Sequence, residues 1–413
     1  MKVPEQAVIL CGGMGTRLRP LTDSLPKPMA PVNGRPFLEY LIQQLREQGV
    51  RRIVLLTGYR GESIREHFGD GTAAGVAISY SHGPAEWETG QRLWEAGALL
   101  DPHFMLLYSD NYSPVSCRQL WALHEGTQAA ITLALQPKAK ANVRLGADGF
   151  VELYDPSRTA TDLVFVEIGY MMVTRDRLLA AIDREASLSV TLTALSERRE
   201  LAGLTCGDFY HSISDLERLR LAERYLAFKK ILLIDRDGTI NQRPARAQYV
   251  TDWDQFHWID STVEAMRQLA AEGFRFIVIS NQAGIARGML SRSGVDAINA
   301  QMCTELRKEG IEVLAKYVCP HHWDDGCNCR KPAPGMFYRA SADHSVRLNR
   351  TIYIGDDPRD TLAARNAGCE SALIGPDRDE RTPGSDGPDC AADSLTELIP
   401  WIISRFDTWA SVA

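Results

Sequence analysis

The run Lys230-Ile231-Leu232-Leu233-Ile234-Asp235-Arg236-Asp237-Gly238-Thr239 constrains the fold of this chain more than any other stretch. An apolar segment of strand length empties into two carboxylates one residue apart, so both acids emerge at the carboxyl end of a buried strand. Open α/β sheets place their chemistry there. Apolar runs recur at 274–280, ending in Ser280-Asn281-Gln282, and at 351–354, followed by Gly355-Asp356-Asp357. A helix around 261–273, with Val263, Met266, Leu269 and Ala270 on one face, separates the first two strands. Lys331 comes from the loop before the third. Acids, a hydroxyl and an ammonium thus converge at the ends of neighbouring strands.

The first half has the same grammar. Residues 7–18 read AVILCGGMGTRL, an apolar strand followed by a glycine-rich turn carrying Arg17. Gly12, Gly13 and Gly15 permit close backbone approach to an anion, whose charge exposed amides and Arg17 would meet. A helix from Phe37, with Leu38, Leu41, Ile42 and Leu45 on its face and Gly49 as its stop, leads to a strand at 53–57. A third apolar run, 104–108, ends in Ser109-Asp110-Asn111-Tyr112. Strand, helix, strand alternation predicts an α/β protein with a Rossmann-like parallel sheet in each half. With 413 residues the chain is too long for one ordinary core, and two domains are expected, 1–228 and 229–413. Ser214 and Glu217 form a capping box for a helix that runs almost into Lys230, and no Gly/Ser/Pro-rich linker intervenes, which predicts a stiff junction.

The net charge of −7, with scattered Lys and Arg, argues against a nucleic-acid or anionic-membrane partner and leaves phosphorylated small molecules as substrates. No apolar run approaches the ~20 residues of a membrane span, and the strand-like VILCGG near the start reads as a cytoplasmic protein rather than a secreted one. Six of the nine cysteines are dispersed singly, as buried small apolar residues are. Cys319, Cys327 and Cys329 instead lie within eleven residues beside His321 and His322. Cys319 with His321, and Cys327 with Cys329, make two close ligand pairs suited to a closed tetrahedral Zn²⁺ site, with His322 as the rival to His321. Four protein ligands leave no open position, so the zinc is expected to be structural and to fix the loop that presents Arg330 and Lys331.

The stretch GTRLRPLTDSLPKPM at 15–29 follows Gly12-Gly13 and resembles the signature of the sugar-1-phosphate nucleotidyltransferases, with a likeness extending over roughly residues 5–225. It is nearest the branch acting on heptose 1-phosphate. The resemblance implies a GT-A-like sheet in which Gly12, Gly13, Gly15, Thr16 and Arg17 hold a nucleoside triphosphate and Lys27 contacts phosphates near the attacked α-phosphorus. It also implies Thr89 and Gly90 around base and sugar, Asp110 as a Mg²⁺ ligand, and Glu167, on a strand within 162–174, as acceptor for sugar hydroxyls. Such chemistry rests on positioning and charge neutralisation, so cations are wanted there. Two departures stand out. His211 occupies the place of the family's second metal-binding aspartate, with Asp208 or Asp215 as substitutes nearby, and Arg158 stands near the place of a lysine.

The second half resembles the haloacid dehalogenase superfamily of phosphatases, whose motifs are D-x-D-G-T, a strand-end Ser/Thr, a Lys and G-D-D. The resemblance implies Asp235 as nucleophile and Asp237 as general acid and base. Ser280 and Lys331 would hold phosphoryl oxygens, and Asp235, Asp237 through its carbonyl, and Asp356 would bind Mg²⁺. Within that superfamily, Asn281-Gln282-Ala283-Gly284-Ile285-Ala286-Arg287-Gly288 looks like the heptose 1,7-bisphosphate phosphatases more than the histidinol-phosphate phosphatases that share the zinc loop. Asn281 would then contact substrate, and Arg287 and Arg330 would bind the phosphate that is not removed.

Together the two likenesses imply a bifunctional enzyme of nucleotide-activated heptose synthesis. One domain's product, heptose 1-phosphate, would be the other's substrate, coupled to an NTP with GTP favoured over CTP or ATP and pyrophosphate released. The rival readings are a histidinol-phosphate phosphatase fused to an unrelated transferase, and a phosphatase beside a non-catalytic sugar-nucleotide-binding domain. A homo-oligomer is compatible with each.

Overall fold

A computed structural model describes residues 3–207, 210–245, 248–375 and 387–411. The chain divides into two compact units, 1–224 and 225–413, a few residues before the division expected at 228.

Among the described residues, the first unit is built on a nine-stranded mixed sheet. Its centre is the strand Gln6–Cys11, flanked in parallel by Arg52–Thr57 and His103–Tyr108. All six residues of Gln6–Cys11 are buried, the pattern of a parallel strand covered on both faces. The register sets Leu10 against Tyr108, so the glycine turn and Ser109-Asp110 leave the sheet side by side. Ser109 Oγ ties them by donating to Leu10 O at 2.6 Å. The helix Phe37–Glu47 buries Leu38, Leu41, Ile42 and Leu45 as expected. The strand Phe165–Thr174 runs antiparallel to His103–Tyr108 and extends the sheet toward Ile131–Pro137 and Leu201–Thr205.

The helix Leu216–Leu226 corrects the capping expectation. Asp215, not Ser214, closes its first turn: Asp215 Oδ1 accepts from Arg218 N at 2.9 Å, and Asp215 O accepts from Leu219 N. Both residue types cap well, and the backbone enters the helix one residue later than the Ser-x-x-Glu spacing suggests.

Among the described residues, the second unit carries a six-stranded, all-parallel sheet in the order Val313–Cys319, Arg275–Asn281, Ile231–Ile234, Ile352–Gly355, Glu370–Ile374, Cys390–Ala392. The strand bearing Asp235 is therefore central, between the strands that end in Ser280 and Asp356. Helices Asp260–Ala271 and Leu395–Ala410 pack on its core through Ala265, Met266, Leu269, Leu398, Ile402 and Phe406. Among the described residues, no helix is long and apolar enough to cross a membrane.

Candidate active sites

The second unit's strand ends open into a cavity of about 460 Å³ lined by Asp235, Asp237, Ser280, Asn281, Arg330 and Lys331, as the sequence predicts, and also by Arg243, Tyr249, Arg359 and Asp360. Lys331 is its electrostatic centre. The side chain is buried, with Nζ 2.8 Å from Asp235 Oδ1 and 2.8 Å from Asp360 Oδ1, and it donates to Tyr353 Oη at 2.7 Å. Burial opposes its charge, but the two carboxylates hold its pKa above the ordinary lysine value. Burial, reinforced by the Asp360 and Asp356 carboxylates against the pull of Lys331, pushes Asp235 up. Asp235 Oδ1 also accepts from Arg236 N at 2.8 Å, which fixes the carboxylate plane.

Asp237 is held differently. Arg236, fully buried, grips both its oxygens at 2.9–3.1 Å and donates to Asn299 Oδ1 at 2.9 Å. Asn241 Nδ2 and Gln282 Nε2 add bonds at 3.0 and 2.6 Å. Burial alone would raise the Asp237 pKa; the Arg236 guanidinium and these donors bring it below the usual carboxylate value. Ser280 Oγ accepts from Gln282 Nε2 at 2.9 Å, so one glutamine couples the strand-end hydroxyl to Asp237.

Asp235, Asp356 and Asp360 bring carboxylate oxygens within 4.8 Å of one another. Their fit to a divalent cation can be judged oxygen by oxygen. Asp356 Oδ1 is buried without a hydrogen-bond partner, the condition of an acceptor that awaits a cation. Asp356 Oδ2 pairs with Arg243 at 2.7 Å. Asp360 is saturated by Lys331, Tyr353 Oη and Asp357 N, so it serves Lys331 rather than a metal. Gly238, at φ 92°, passes so close to Asp356 that a Cβ would sit 1.8 Å from Oδ2; the DxDGT glycine is required by that carboxylate.

Two expectations change here. Arg287 does not line the cavity. It donates to Tyr249 Oη at 3.3 Å and lies over the Tyr249 and Trp323 rings, because its segment turns outward after Gly284. Arg330 lines the cavity as expected, joined there by Arg243. Asn281 does reach the cavity, yet both ends of its amide bind the Lys331 backbone, at 3.1 and 3.2 Å, so it positions the lysine loop.

Cys319, His321, Cys327 and Cys329 gather as predicted. Five of the six distances between their ligand atoms are 3.2–3.7 Å, close to the ~3.7 Å edge of a tetrahedron with ~2.3 Å metal–sulfur bonds, and all six are within 4.8 Å. His322 is excluded: its ring packs on Trp323 at 3.6 Å and faces Asp324.

The first unit's cavity, about 550 Å³, is lined by Gly12, Gly13, Gly15, Thr16, Arg17, Lys27, Thr89, Asp110 and Ser214, with a wall of Ala85, Glu86, Trp87 and Glu88. Lys27 Nζ is in direct salt-bridge contact with Asp110 Oδ2. Gly90 lies outside this lining, a correction with a packing cause: its N–H donates to Ala186 O, and a Cβ would meet Asp183 O at 2.2 Å. Thr89 Oγ1 accepts from Leu188 N at 2.6 Å, anchoring the same helix start. Glu167 also lies outside the lining. Its Oε1 accepts from Gly169 N and burial raises its pKa to about 7, with Asp110 adding to the rise. His211 sits in the two-residue strand His211–Ser212, opposite Tyr112, and is not in the described lining; Asp208 lies outside the described residues and Asp215 caps a helix.

Residues 6–146 match the nucleotidyl transferase family, and residues 328–398 match the HAD-hydrolase-like family. The chain is 35% identical over 152 residues to the D-glycero-β-D-manno-heptose-1,7-bisphosphate 7-phosphatase of Pasteurella multocida, covering 35% of this chain and 81% of that protein. It is 36% identical over 185 residues to the enzyme of the same name from Pseudomonas putida, covering 45% of this chain and 97% of that protein. Among solved structures, the D,D-heptose 1,7-bisphosphate phosphatase of B. bronchiseptica, complexed with magnesium and phosphate, is 29% identical with a TM-score of 0.39, over 42% of this chain and 98% of that one.

Proposed function

The chain belongs to the family of D-glycero-β-D-manno-heptose-1,7-bisphosphate 7-phosphatases, and on that footing we propose that it is a bifunctional enzyme of nucleotide-activated heptose synthesis. Its second unit removes the 7-phosphate from the heptose bisphosphate. Its first couples the resulting heptose 1-phosphate to a nucleotide and releases pyrophosphate. The observation that carries the reading is the Asp235–Lys331–Asp360 centre beside Asp237 in a chain whose other unit matches a nucleotidyl transferase.

In the phosphatase unit Asp235 is the nucleophile. With Oδ1 tied by Lys331 and Arg236 N, Oδ2 attacks the phosphorus, and the P–O bond to the sugar breaks. Asp237 gives a proton to the departing sugar oxygen. It then takes one from water, which attacks the aspartyl phosphate, releases phosphate and restores Asp235. The Arg236 guanidinium lowers the Asp237 pKa, which suits the second step; in the first, Asp237 takes a proton from the substrate's phosphate monoanion and passes it to the departing oxygen. Lys331 and Ser280 hold phosphoryl oxygens. Asp235 and Asp356 would hold Mg²⁺, which when bound offsets the repulsion between carboxylate and phosphate. Cys319, His321, Cys327 and Cys329 would hold a structural Zn²⁺. Metal analysis of purified protein should find about one zinc per chain, falling to near zero in a Cys319→Ser, Cys329→Ser double variant with loss of phosphatase activity. Undiminished activity in the metal-free variant would reject a structural role.

Arg243 and Arg330 are assigned to the spared 1-phosphate. A charged hydrogen bond of about 1.5–3 kcal/mol predicts that Arg243→Ala lowers the preference for the bisphosphate over heptose 7-phosphate by about 10–100-fold, and Arg287→Ala by less than about threefold. The reverse order would restore Arg287 as the anchor.

In the transferase unit, Thr16, Arg17 and the glycine turn hold the triphosphate, Lys27 neutralises charge at the α-phosphate, and Asp110 would hold Mg²⁺ together with the phosphates. The Lys27–Asp110 pair keeps both side chains aimed at one point of the cavity. Pyrophosphate release from heptose 1-phosphate with each of GTP, CTP, ATP and UTP tests this half; GTP is expected to be used best. Release with none of the four, with binding intact, would favour a non-catalytic binding domain. Turnover of histidinol phosphate equal to that of the heptose bisphosphate would overturn the phosphatase assignment.

A further inference from the structure

Arg92 lies in the helix Thr89–Glu95, is 4% exposed, and makes no salt bridge among the described residues. Its guanidinium donates only to main-chain carbonyls: Thr57 O at 2.8 Å, Pro84 O at 2.6 Å, Ala85 O at 3.3 Å and Gly12 O at 3.4 Å. These oxygens belong to three segments that Arg92 ties together: the glycine turn and the segment 84–88, both of which contribute to the cavity lining, and the end of the strand Arg52–Thr57. A Cβ on Gly12 would fall 2.2 Å from Arg92 Cζ, so a larger residue there would have to displace the guanidinium from its carbonyls.

Across a trans peptide the C=O and the following N–H point in opposite directions. Drawing the Gly12 and Ala85 carbonyls onto Arg92 therefore turns the Gly13 and Glu86 N–H groups away from it, and both residues line the cavity. Arg92 itself lines the cavity. Among the described residues, the carboxylates that favour its charge are Glu86 and Glu88 of the same wall, and neither forms a salt bridge with it, so its cation remains available to a triphosphate bound against the turn.

We propose that Arg92 is a positioning residue of the nucleotide site, whose fork holds the glycine turn and the 84–88 wall with their N–H groups toward the phosphates and whose cation adds to the attraction for them. The inference rests on reading the first unit as a nucleotidyltransferase. It assigns Arg92 to the phosphates, not to the base or the sugar.

Calorimetric binding of GTP and of inorganic tripolyphosphate, with Mg²⁺, to wild type, Arg92→Gln and Arg92→Lys tests it. Arg92→Gln should weaken both probes by about tenfold or more and by similar factors, while KM for heptose 1-phosphate moves less than about twofold. Arg92→Lys, which keeps the charge without the fork, should fall between. Unchanged affinity for both probes in a folded Arg92→Gln chain would overturn the inference alone. Should Arg92→Gln fail to fold, wild-type affinity for tripolyphosphate in Arg92→Lys would overturn it equally. A wild-type chain that binds neither probe would overturn the reading of the unit, and the inference with it. The phosphatase rate of the same preparations should be unchanged, since Arg92 lies in the other unit.

Discussion

Asp235→Asn is expected to lower phosphate release from heptose 1,7-bisphosphate by more than about 10³-fold, while pyrophosphate release from supplied heptose 1-phosphate stays at the wild-type rate. The amide is nearly isosteric, so the cavity keeps its shape, but a neutral amide does not displace a sugar alkoxide from phosphorus. The substitution also removes one of the two anions that hold Lys331, leaving Asp360 to keep the ammonium in place. Binding of the bisphosphate should therefore survive. Loss of both activities would contradict two separate sites, and retention of phosphate release would remove Asp235 from the nucleophile's role.

The second large effect is on stability. Lys331→Met removes a buried cation whose Nζ lies 2.8 Å from each of two carboxylates, and leaves Asp235 and Asp360 facing one another in a buried site with Asp356 beside them. Breaking a buried pair from one side costs about 3–5 kcal/mol. At about 2–4 °C per kcal/mol for a unit of this size, the thermal transition of the second unit should fall by roughly 10 °C in metal-free buffer. Adding Asp360→Asn should recover part of that stability and none of the activity, because the phosphoryl oxygens still lack their ammonium. A Lys331→Met chain that melts with wild type would show that the lysine does not carry the local electrostatics assigned to it.

The phosphatase centre was legible because its parts sit at strand ends. Asp235, Asp237, Ser280 and Asp356 each follow an apolar run, and parallel sheets bring such ends together whatever lies between. The metal loop was legible because ligand pairs must be close in sequence to share an ion. What escaped was set by contacts that sequence spacing does not encode. Asp360 is the N3 acid of a capping box with Asp357, and it also holds Lys331, 29 residues away, a contact that depends on the sheet order. Arg236, between the two acids, is fully buried against Asn299, a contact that no motif marks. Arg287 carried a family likeness and Arg243 carried none, and the fold turned the first outward and the second inward. In the first unit the glycine turn, Lys27 and Asp110 were read from the strand-turn pattern and a family likeness. Thr89 lines the cavity as expected, whereas Gly90 was read as a ligand contact when it is engaged in packing, and Arg92 passed unnoticed because its acceptors are backbone oxygens, which have no sequence signature.

One chain is expected to carry heptose 1,7-bisphosphate through to a sugar nucleotide. The decisive assay gives wild-type protein the bisphosphate, Mg²⁺ and each of the four NTPs in turn, with products resolved by mass spectrometry. Equal amounts of phosphate and pyrophosphate should form, with a nucleoside diphosphate heptose produced best from GTP. Accumulation of heptose 1-phosphate with no sugar nucleotide from any NTP would contradict that expectation.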